Sequence, residues 1–364
     1  MKVATGLARG RTADPALAAK AVRAAMESAG LDHPQAVLLY LTSDFAQDPR
    51  AAMAAATRTA GCLQVTGCTA AGVFTEADWV LDAPAAAAMV FGAGMHLHPA
   101  RDETETRLTL CAPNALDLHW LHAGGPRFGG VSGDATGRGP YSVWTGARRQ
   151  PSGRCQLCLR GIELRIGVSQ GIHPISLPAR LDQVQGHDIR IVGGDTALDS
   201  LIRELPLPIR TSEHIPTHLL LAGVTYGQRE HALDEGRFHL LPVVGVNIQD
   251  ASVTVAGRLQ AGQELFWALR QPQAAERDMA AMLARIAAGR CDSPAFALMF
   301  PCLGRGPWFY SGEDRDIHVL VQRYPELPLI GFYGNGEIAH LDGANRLLQY
   351  SVVLGLGYAA DAHV

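Results

Sequence analysis

The sequence predicts an α+β protein with two related halves, each with a mixed sheet packed by helices. The main observation is a strand–helix–strand pattern at 296–337, in which apolar runs flank a polar helical segment. A second copy of the pattern lies at 37–72. Gly67 and Gly72 stand at the same separation as Gly331 and Gly336, which favours an internal duplication, although glycine after a strand is also common by chance.

Composition restricts the class of protein. The chain has 364 residues, more than one typical domain, with 48% hydrophobic and 18% charged residues. A formal net charge of −4 without clustered basic residues argues against nucleic-acid binding. The longest apolar run, 83–95, is too short to span a membrane. The N-terminal residues lack the apolar core of a signal peptide, and the seven cysteines are typical of reduced thiols, so we expect a cytoplasmic protein.

The N-terminal region follows the rules for capped helices. Asp14 and Pro15 are expected to begin the first helix, and Gly30 lies just past its end. The same signals predict a second helix at 48–61. Strands of this region are predicted at 37–41, 63–65 and 85–91.

The middle of the chain changes to short strands separated by turns, which favours antiparallel pairing. These strands are predicted at 142–145, 155–160, 163–169 and 189–192. A helix is expected at 196–205. The proline-rich segment 205–216 then predicts a boundary between domains 1–205 and 206–364, because repeated proline blocks regular structure.

The second half is predicted to contain further strands and one long helix at 274–288 before the C-terminal pattern. Its strands are expected at 219–224, 238–241, 243–248, 252–255, 264–269 and 349–354.

The candidate site lies at the two glycine-rich loops of the C-terminal pattern. Cys302, Gly304 and Arg305 follow the strand 296–300, and the segment 331–337 follows the strand 327–330. Glycine lets the main chain approach another group closely. Ligands of open α/β sheets bind where such strand ends separate. We therefore expect a small ligand at these loops.

Two opposite charges in these loops indicate the kind of ligand. The planar guanidinium of Arg305 suits a carboxylate or phosphate, and Glu337 suits an ammonium group. Together they would complement an amino acid. The alternative is that the two residues pair with each other or with Asp314 as structural charges. Tyr333 and Asn335 share the second loop and join the candidate set, together with Gly331 and Gly336.

Cys302 raises the alternative of a thiol-dependent hydrolase or transferase, because a thiol beside arginine would have a lowered pKa. No catalytic histidine can be assigned beside it from the sequence, and a buried, inert cysteine is the favoured interpretation. The lone pair Cys155 and Cys158 lacks the second cysteine pair of a structural zinc site. We therefore predict no catalytic residue, no metal and no cofactor.

Four segments of the sequence stand out, at 167–175, 257–270, 300–306 and 329–338. Together they resemble the FIST family, a sensory module linked to intracellular signal transduction, and the resemblance covers most of the chain. It implies an N-terminal and a C-terminal FIST region that bind small ligands such as amino acids. By this analogy Gln170 and His173 join the candidate ligand-binding residues. The chain departs from the family pattern at 172–173 and at Gln271.

Family members often carry output domains, and we expect none here, so a signalling output would come from a partner protein. Three functions thus remain open at the level of sequence. They are a small-ligand sensor, a thiol-dependent enzyme and a protein-interaction module without a small ligand.

Overall fold

The computed structural model describes residues 2–211, 214–227, 231–233 and 236–360. The chain forms two compact units. The first combines Met1–Ser169 with Met279–Val364, and the second consists of Gln170–Asp278. The first unit therefore contains both copies of the strand–helix–strand pattern. The division of the sequence into regions 1–205 and 206–364 stays a prediction.

The described helices are numbered along the chain. They are α1 (Ala16–Ala29), α2 (Arg50–Ala60), α3 (Leu118–His122), α4 (Ala197–Glu204), α5 (Leu207–Arg210), α6 (Pro272–Ala287) and α7 (Arg315–Arg323). Helix α1 begins at Ala16, one residue after the expected first position at Pro15, and the Asp14 carboxylate accepts a hydrogen bond from the Ala16 amide at 2.8 Å. Gly30 ends this helix in the left-handed conformation.

Strands of the first unit lie on both sides of the second unit in sequence. The first group is β1 (Val3–Arg9), β2 (Ala36–Thr42), β3 (Val65–Ala70), β4 (Gly72–Thr75), β5 (Trp79–Val80), β6 (Ala85–Phe91), β7 (His96–His98), β8 (Arg107–Cys111), β9 (Arg127–Val131), β10 (Val143–Thr145), β11 (Arg148–Arg149), β12 (Arg154–Arg160) and β13 (Ile162–Ser169). The strands of the second unit are β14 (Ile172–Pro174), β15 (Ala179–Gln185), β16 (Asp188–Val192), β17 (Asp195–Thr196), β18 (Leu220–Thr225), β19 (Phe238–Asn247), β20 (Ser252–Val255) and β21 (Glu264–Arg270). The first unit is completed by β22 (Phe296–Pro301), β23 (Leu329–Tyr333), β24 (Glu337–Leu341), β25 (Ala344–Leu348) and β26 (Val352–Ala359).

Three sheets build the first unit. Their strand orders are β1-β6-β2-β3-β10-β11, β13-β26-β22-β23-β4-β5 and β25-β24-β9-β8-β12-β7. The shared core lies between them, where Tyr40 of the first sheet contacts Phe332 of the second at 4.9 Å between ring centroids. Residues of α1 and α2 cover the outer face of the first sheet, and α6 and α7 cover that of the second. These layers confirm an α+β fold of two related halves.

The duplicated units have matching geometry. Strands β2 and β3 are parallel and joined through α2, and strands β22 and β23 are parallel and joined through α7. Gly67 is paired with Leu39, and Gly331 with Met299. A Cβ at either glycine would overlap the carbonyl oxygen of its paired residue, so both positions depend on glycine for close strand packing.

This geometry corrects two expected loop positions. Gly67 and Gly331 were predicted in loops after strands, but both lie inside buried strands. The sequence pattern misleads here because glycine serves close packing inside the sheet as often as it marks a turn. The second glycine-rich loop therefore begins at Gly334 rather than at Gly331.

The second unit forms a ring of antiparallel strands. The order β14-β21-β15-β16-β20-β19-β18 closes through an additional pairing between β18 and β21. Its core includes Leu181, Leu220 and Trp267. The indole nitrogen of Trp267 donates to the Ser200 hydroxyl at 3.1 Å, which satisfies this buried polar group.

Two expectations for this unit are wrong. The strands predicted at 238–241 and 243–248 form the single strand β19, which continues through Pro242. The proline-rich segment was expected to lack regular structure, yet it contains the one-turn helix α5. Proline at the start of a helix is tolerated, because the amide it lacks has no partner there. Residues 212 and 213 of this segment lie outside the described residues. None of the described helices has the length and apolar composition that a membrane span needs.

Candidate functional site

The ends of strands β22 and β23 are held together by the main chain. The Leu303 amide donates to the Gly334 carbonyl at 2.8 Å, and the Gly334 amide donates to the Pro301 carbonyl at 3.0 Å. The Asn335 amide donates to Val131 at the end of β9 at 3.0 Å. The glycine-rich loop is thus fixed to two neighbouring strands before any side chain contributes.

Arg305 forms a buried ion pair at this edge. Its side chain is 2% exposed, and its Nε and Nη2 atoms donate to the two carboxylate oxygens of Asp316 at 3.0 and 2.9 Å. The guanidinium also donates to the Ser169 carbonyl at 2.9 Å and to the Ser169 hydroxyl at 2.8 Å. Ser169 is the last residue of β13, the outermost strand of the sheet that contains β22. This arginine therefore connects the turn after β22 with the end of β13.

The helix α7 supplies two buried carboxyl groups. Asp316, in its first turn, also accepts a hydrogen bond from the Tyr310 hydroxyl at 3.0 Å. Asp314 caps the helix by accepting from the Ile317 amide, and its other oxygen accepts from the Tyr333 hydroxyl at 2.6 Å. Burial, followed by the negative charge of Asp316, raises the pKa of Asp314 to about 7.

Glu337 places a third carboxyl group beside these strand ends, and this residue is fully buried. One of its oxygens accepts hydrogen bonds from the Ser351 amide at 3.2 Å and from the Ser351 hydroxyl. The other oxygen, Oε1, has no hydrogen-bond partner of normal geometry among the described residues. Burial raises the pKa of Glu337 to about 8, although the Ser351 donors, the Cys302 thiol and Arg305 oppose the shift. Burial therefore favours the neutral form of this carboxyl group.

Comparison with known proteins identifies the family. The model of the FIST N domain matches residues 35–195, and the model of the FIST C domain matches residues 197–340. The chain belongs to the FIST family. FIST domains are sensory modules of signal transduction. The resemblance found in the sequence is thereby confirmed.

Relatives of this FIST protein include uncharacterized mycobacterial proteins. One from Mycobacterium bovis is 28% identical over 199 residues, which cover 54% of this chain and 50% of the relative. One from Mycobacterium tuberculosis is 26% identical over 229 residues, which cover 63% of this chain and 60% of the relative. The match thus spans about half the length of these relatives.

Cys302 of the FIST protein does not have the environment of a reactive thiol. Its side chain is 8% exposed, and burial, together with the charge of Glu337, raises the thiol pKa well above its ordinary value. The expectation of a pKa lowered by Arg305 is wrong. The guanidinium is already paired with Asp316, so burial dominates.

This environment predicts the pattern of thiol modification. Near neutral pH we expect iodoacetamide to label the exposed Cys291 and to leave Cys302 unmodified in the folded protein. Peptide mass spectrometry after a timed reaction measures both sites, with Cys291 as the internal control. Stoichiometric labelling of Cys302 at the rate of Cys291 would contradict the assignment and would favour a thiol-dependent enzyme.

The structure brings most of the predicted site residues to one edge of the first unit. Tyr333 ends β23 and is buried, whereas Gly304 and Asn335 are half-buried. Gly336 has a φ of 151°, in the range that favours glycine, and its carbonyl accepts from the Val131 amide at 2.8 Å. Gly304 and Asn335 are thus the most exposed of the predicted residues at this edge.

Two predicted residues belong to the second unit. Gln170 is buried and donates from Nε2 to the Gly236 carbonyl at 2.7 Å. His173 is exposed on β14, where it is paired with Leu269 of β21. Their role in ligand binding stays a prediction from the family resemblance.

Sequence reasoning missed the partners that organise the edge. Arg305 was expected to bind a ligand or to pair with Glu337 or Asp314, but its partner is Asp316. Ser169, Tyr310 and Ser351 were also missed. A usable signal was the spacing of Asp314 and Asp316 before an apolar helical run, since one acid caps the helix and the other points to a separate partner.

Proposed function

We propose that this FIST protein is a cytoplasmic sensory module that binds a small polar ligand, such as an amino acid, at the carboxyl edge of β22 and β23. Family membership supports the sensory role. The observation that supports the ligand is Glu337, a fully buried acid whose Oε1 atom has no hydrogen-bond partner of normal geometry among the described residues, although the Cys302 thiol lies close to the carboxyl group. Buried polar atoms of this kind usually have a partner, and a ligand would supply it.

An ammonium group is the partner that fits Glu337 best. A neutral carboxyl group can be buried at moderate cost, whereas a buried carboxylate needs a nearby positive charge. Arg305 is occupied by Asp316, so it offers only partial compensation to Glu337. A ligand ammonium placed at Oε1 would complete the compensation and would convert Glu337 to its ionised form.

The remaining candidate residues have supporting roles in this proposal. A ligand would approach past Gly304 and Asn335. Contact of its carboxylate with Arg305 remains a prediction, since this guanidinium already donates to Asp316 and Ser169. Direct contacts with Cys302, Tyr333, Gly331, Gly336, Gln170 and His173 remain predictions. The response to the ligand would pass to a partner protein.

A thermal-shift screen of amino acids and related metabolites tests the proposal. A ligand at 100 times its dissociation constant should stabilise the wild-type protein by about 2.7 kcal/mol. Glu337→Gln should remove most of this response, because an amide cannot neutralise an ammonium group. Glu313→Gln alters a nearby exposed carboxylate and is the matched control. Equal stabilisation of wild type and Glu337→Gln would remove Glu337 from the site.

A further inference from the structure

A group of arginine side chains surrounds Trp120 in the first unit, away from the residues discussed so far. The guanidinium carbon of Arg127 lies 4.3 Å from the centre of the Trp120 ring, and that of Arg154 lies 4.4 Å from it. Arg107 is paired with Arg127 across the parallel strands β8 and β9. Three positively charged side chains thus come from the neighbouring strands β8, β9 and β12, and two of them contact the tryptophan of α3.

Arg127 is unusual because its side chain is 3% exposed. Its Nη2 atom donates to the Ala123 carbonyl at 2.6 Å, but its buried Nε and Nη1 atoms have no hydrogen-bond partner in the part of the chain that the structure describes. Burial, followed by the positive charges of Arg107 and Arg154, lowers the pKa of Arg127. A buried guanidinium with this many unused donors is costly unless a counter-charge is supplied.

The other two arginines donate to main-chain carbonyl groups rather than to carboxylates. Arg107 donates to the Asp102 carbonyl at 2.9 Å, and Arg154 donates to the Ala115 carbonyl at 2.6 Å. These acceptors are neutral main-chain groups, and no ion pair of the three arginines occurs within the described ranges. The Asp102 carboxylate is near enough to Arg107 to feel its charge, but it is exposed and accepts hydrogen bonds from Thr104.

Two of the guanidinium groups lie close to an exposed glycine. Gly124 is exposed, and its φ of 76° lies in the range that favours glycine. A Cβ at this position would lie 2.6 Å from Nη1 of Arg107 and 3.8 Å from Nη2 of Arg127. The guanidinium groups of Arg107 and Arg127 therefore approach the same exposed glycine, Arg127 with the Nη2 atom that also donates to Ala123.

We propose that Arg107, Arg127 and Arg154 form a binding site for a small dianionic oxyanion, a phosphate, a sulfate or the phosphoryl group of a larger molecule. The forked geometry of guanidinium groups matches tetrahedral oxyanions, and three positive charges favour a dianion over a monocarboxylate. The ring of Trp120 holds Arg127 and Arg154 in place through cation–π contacts. This site goes beyond the proposed amino-acid site and involves none of its residues.

Trp120 also provides the measurement. Sodium phosphate, sodium sulfate, glycerol phosphate, sodium acetate and sodium chloride are titrated at matched ionic strength in a buffer without phosphate. Tryptophan fluorescence and the melting temperature are followed. The proposal predicts a saturable response to phosphate and sulfate, with at least tenfold weaker binding of acetate and chloride. A response to glycerol phosphate that equals or exceeds that to phosphate would assign the site to an organic phosphoryl group.

Variants separate this site from general salt effects. Arg127→Met should lose the saturable response, and Arg107→Gln should weaken binding at least tenfold. Trp120→Phe should lose the fluorescence change but keep part of the thermal shift. Arg58→Gln, an exposed arginine of α2, should behave as wild type. The proposal is overturned if phosphate acts on the wild type no more than chloride, or if Arg107→Gln responds as wild type. Arg107 is half-buried, so the Arg107→Gln variant tests the proposal even if Arg127→Met does not fold.

Discussion

Replacing Arg305 with alanine is expected to lower the free energy of unfolding by about 3–5 kcal/mol, because it leaves Asp316 buried without its ion-pair partner. The Asp316 carboxylate would keep the Tyr310 hydroxyl but lose two charged hydrogen bonds. Ser169 would also lose its guanidinium donors. Urea unfolding of wild type and variant at the same pH gives the difference directly.

The controls for Arg305 distinguish loss of charge from loss of packing. Arg305→Lys keeps the charge but cannot bind both oxygens of Asp316, so it should fall between wild type and alanine. The double variant Arg305→Met/Asp316→Leu removes both charges and should recover much of the loss. Arg58→Ala, at an exposed position, should change stability by about 0.5 kcal/mol or less. Losses that simply add in the double variant would show that the two residues are not coupled.

Glu337 is expected to make stability fall as pH rises. Its pKa is about 8 in the folded protein against an ordinary value of 4.5, so the folded state binds the additional proton between these values. The stability that this group contributes is fully present below about pH 4.5 and is lost as pH rises through 8. Within this window the cost is up to about 1.4 kcal/mol for each pH unit. Asp314, with a pKa of about 7, acts in the same direction.

Unfolding measured at pH 5.5, 7 and 8.5 tests this dependence. Glu337→Gln cannot ionise, yet its amide oxygen can still accept from Ser351, so its stability should fall less than that of wild type over this range. The difference in unfolding free energy between the variant and the wild type should therefore shift in favour of the variant as the pH is raised from 5.5 to 8.5. Parallel pH profiles for the two proteins would mean that Glu337 is not a buried neutral acid.

Local signals predicted the elements of the fold well. The first helix follows from Asp14 and Gly30, because capping depends on a few neighbouring residues. The duplicated pattern also follows from sequence, since buried parallel strands are continuous apolar runs. Gly67 and Gly331 were placed in loops because the need for glycine there comes from a partner strand far away in sequence.

The candidate site was predicted only in part. The location of Arg305 and Glu337 at strand ends follows from the glycine-rich loops, and the structure places both there. The sequence could not show which nearby acid pairs with Arg305. Asp314 precedes α7 and caps it, whereas Asp316 lies in its first turn and binds Arg305, and this difference depends on where the helix begins. Ser169 reaches the edge because β13 pairs with β26, and Ser351 reaches it because its carbonyl accepts from the Cys302 amide. Short-range sequence patterns specify neither contact.

Proton release on binding tests the central claim most directly. Once the thermal-shift screen supplies a ligand with an ammonium group, its titration is followed by calorimetry at pH 7 in two buffers that differ in ionisation enthalpy. If the ammonium group binds ionised Glu337, close to one proton should leave the protein for each ligand bound, and the release should disappear in Glu337→Gln. Binding heats that are equal in the two buffers for wild type would contradict the account.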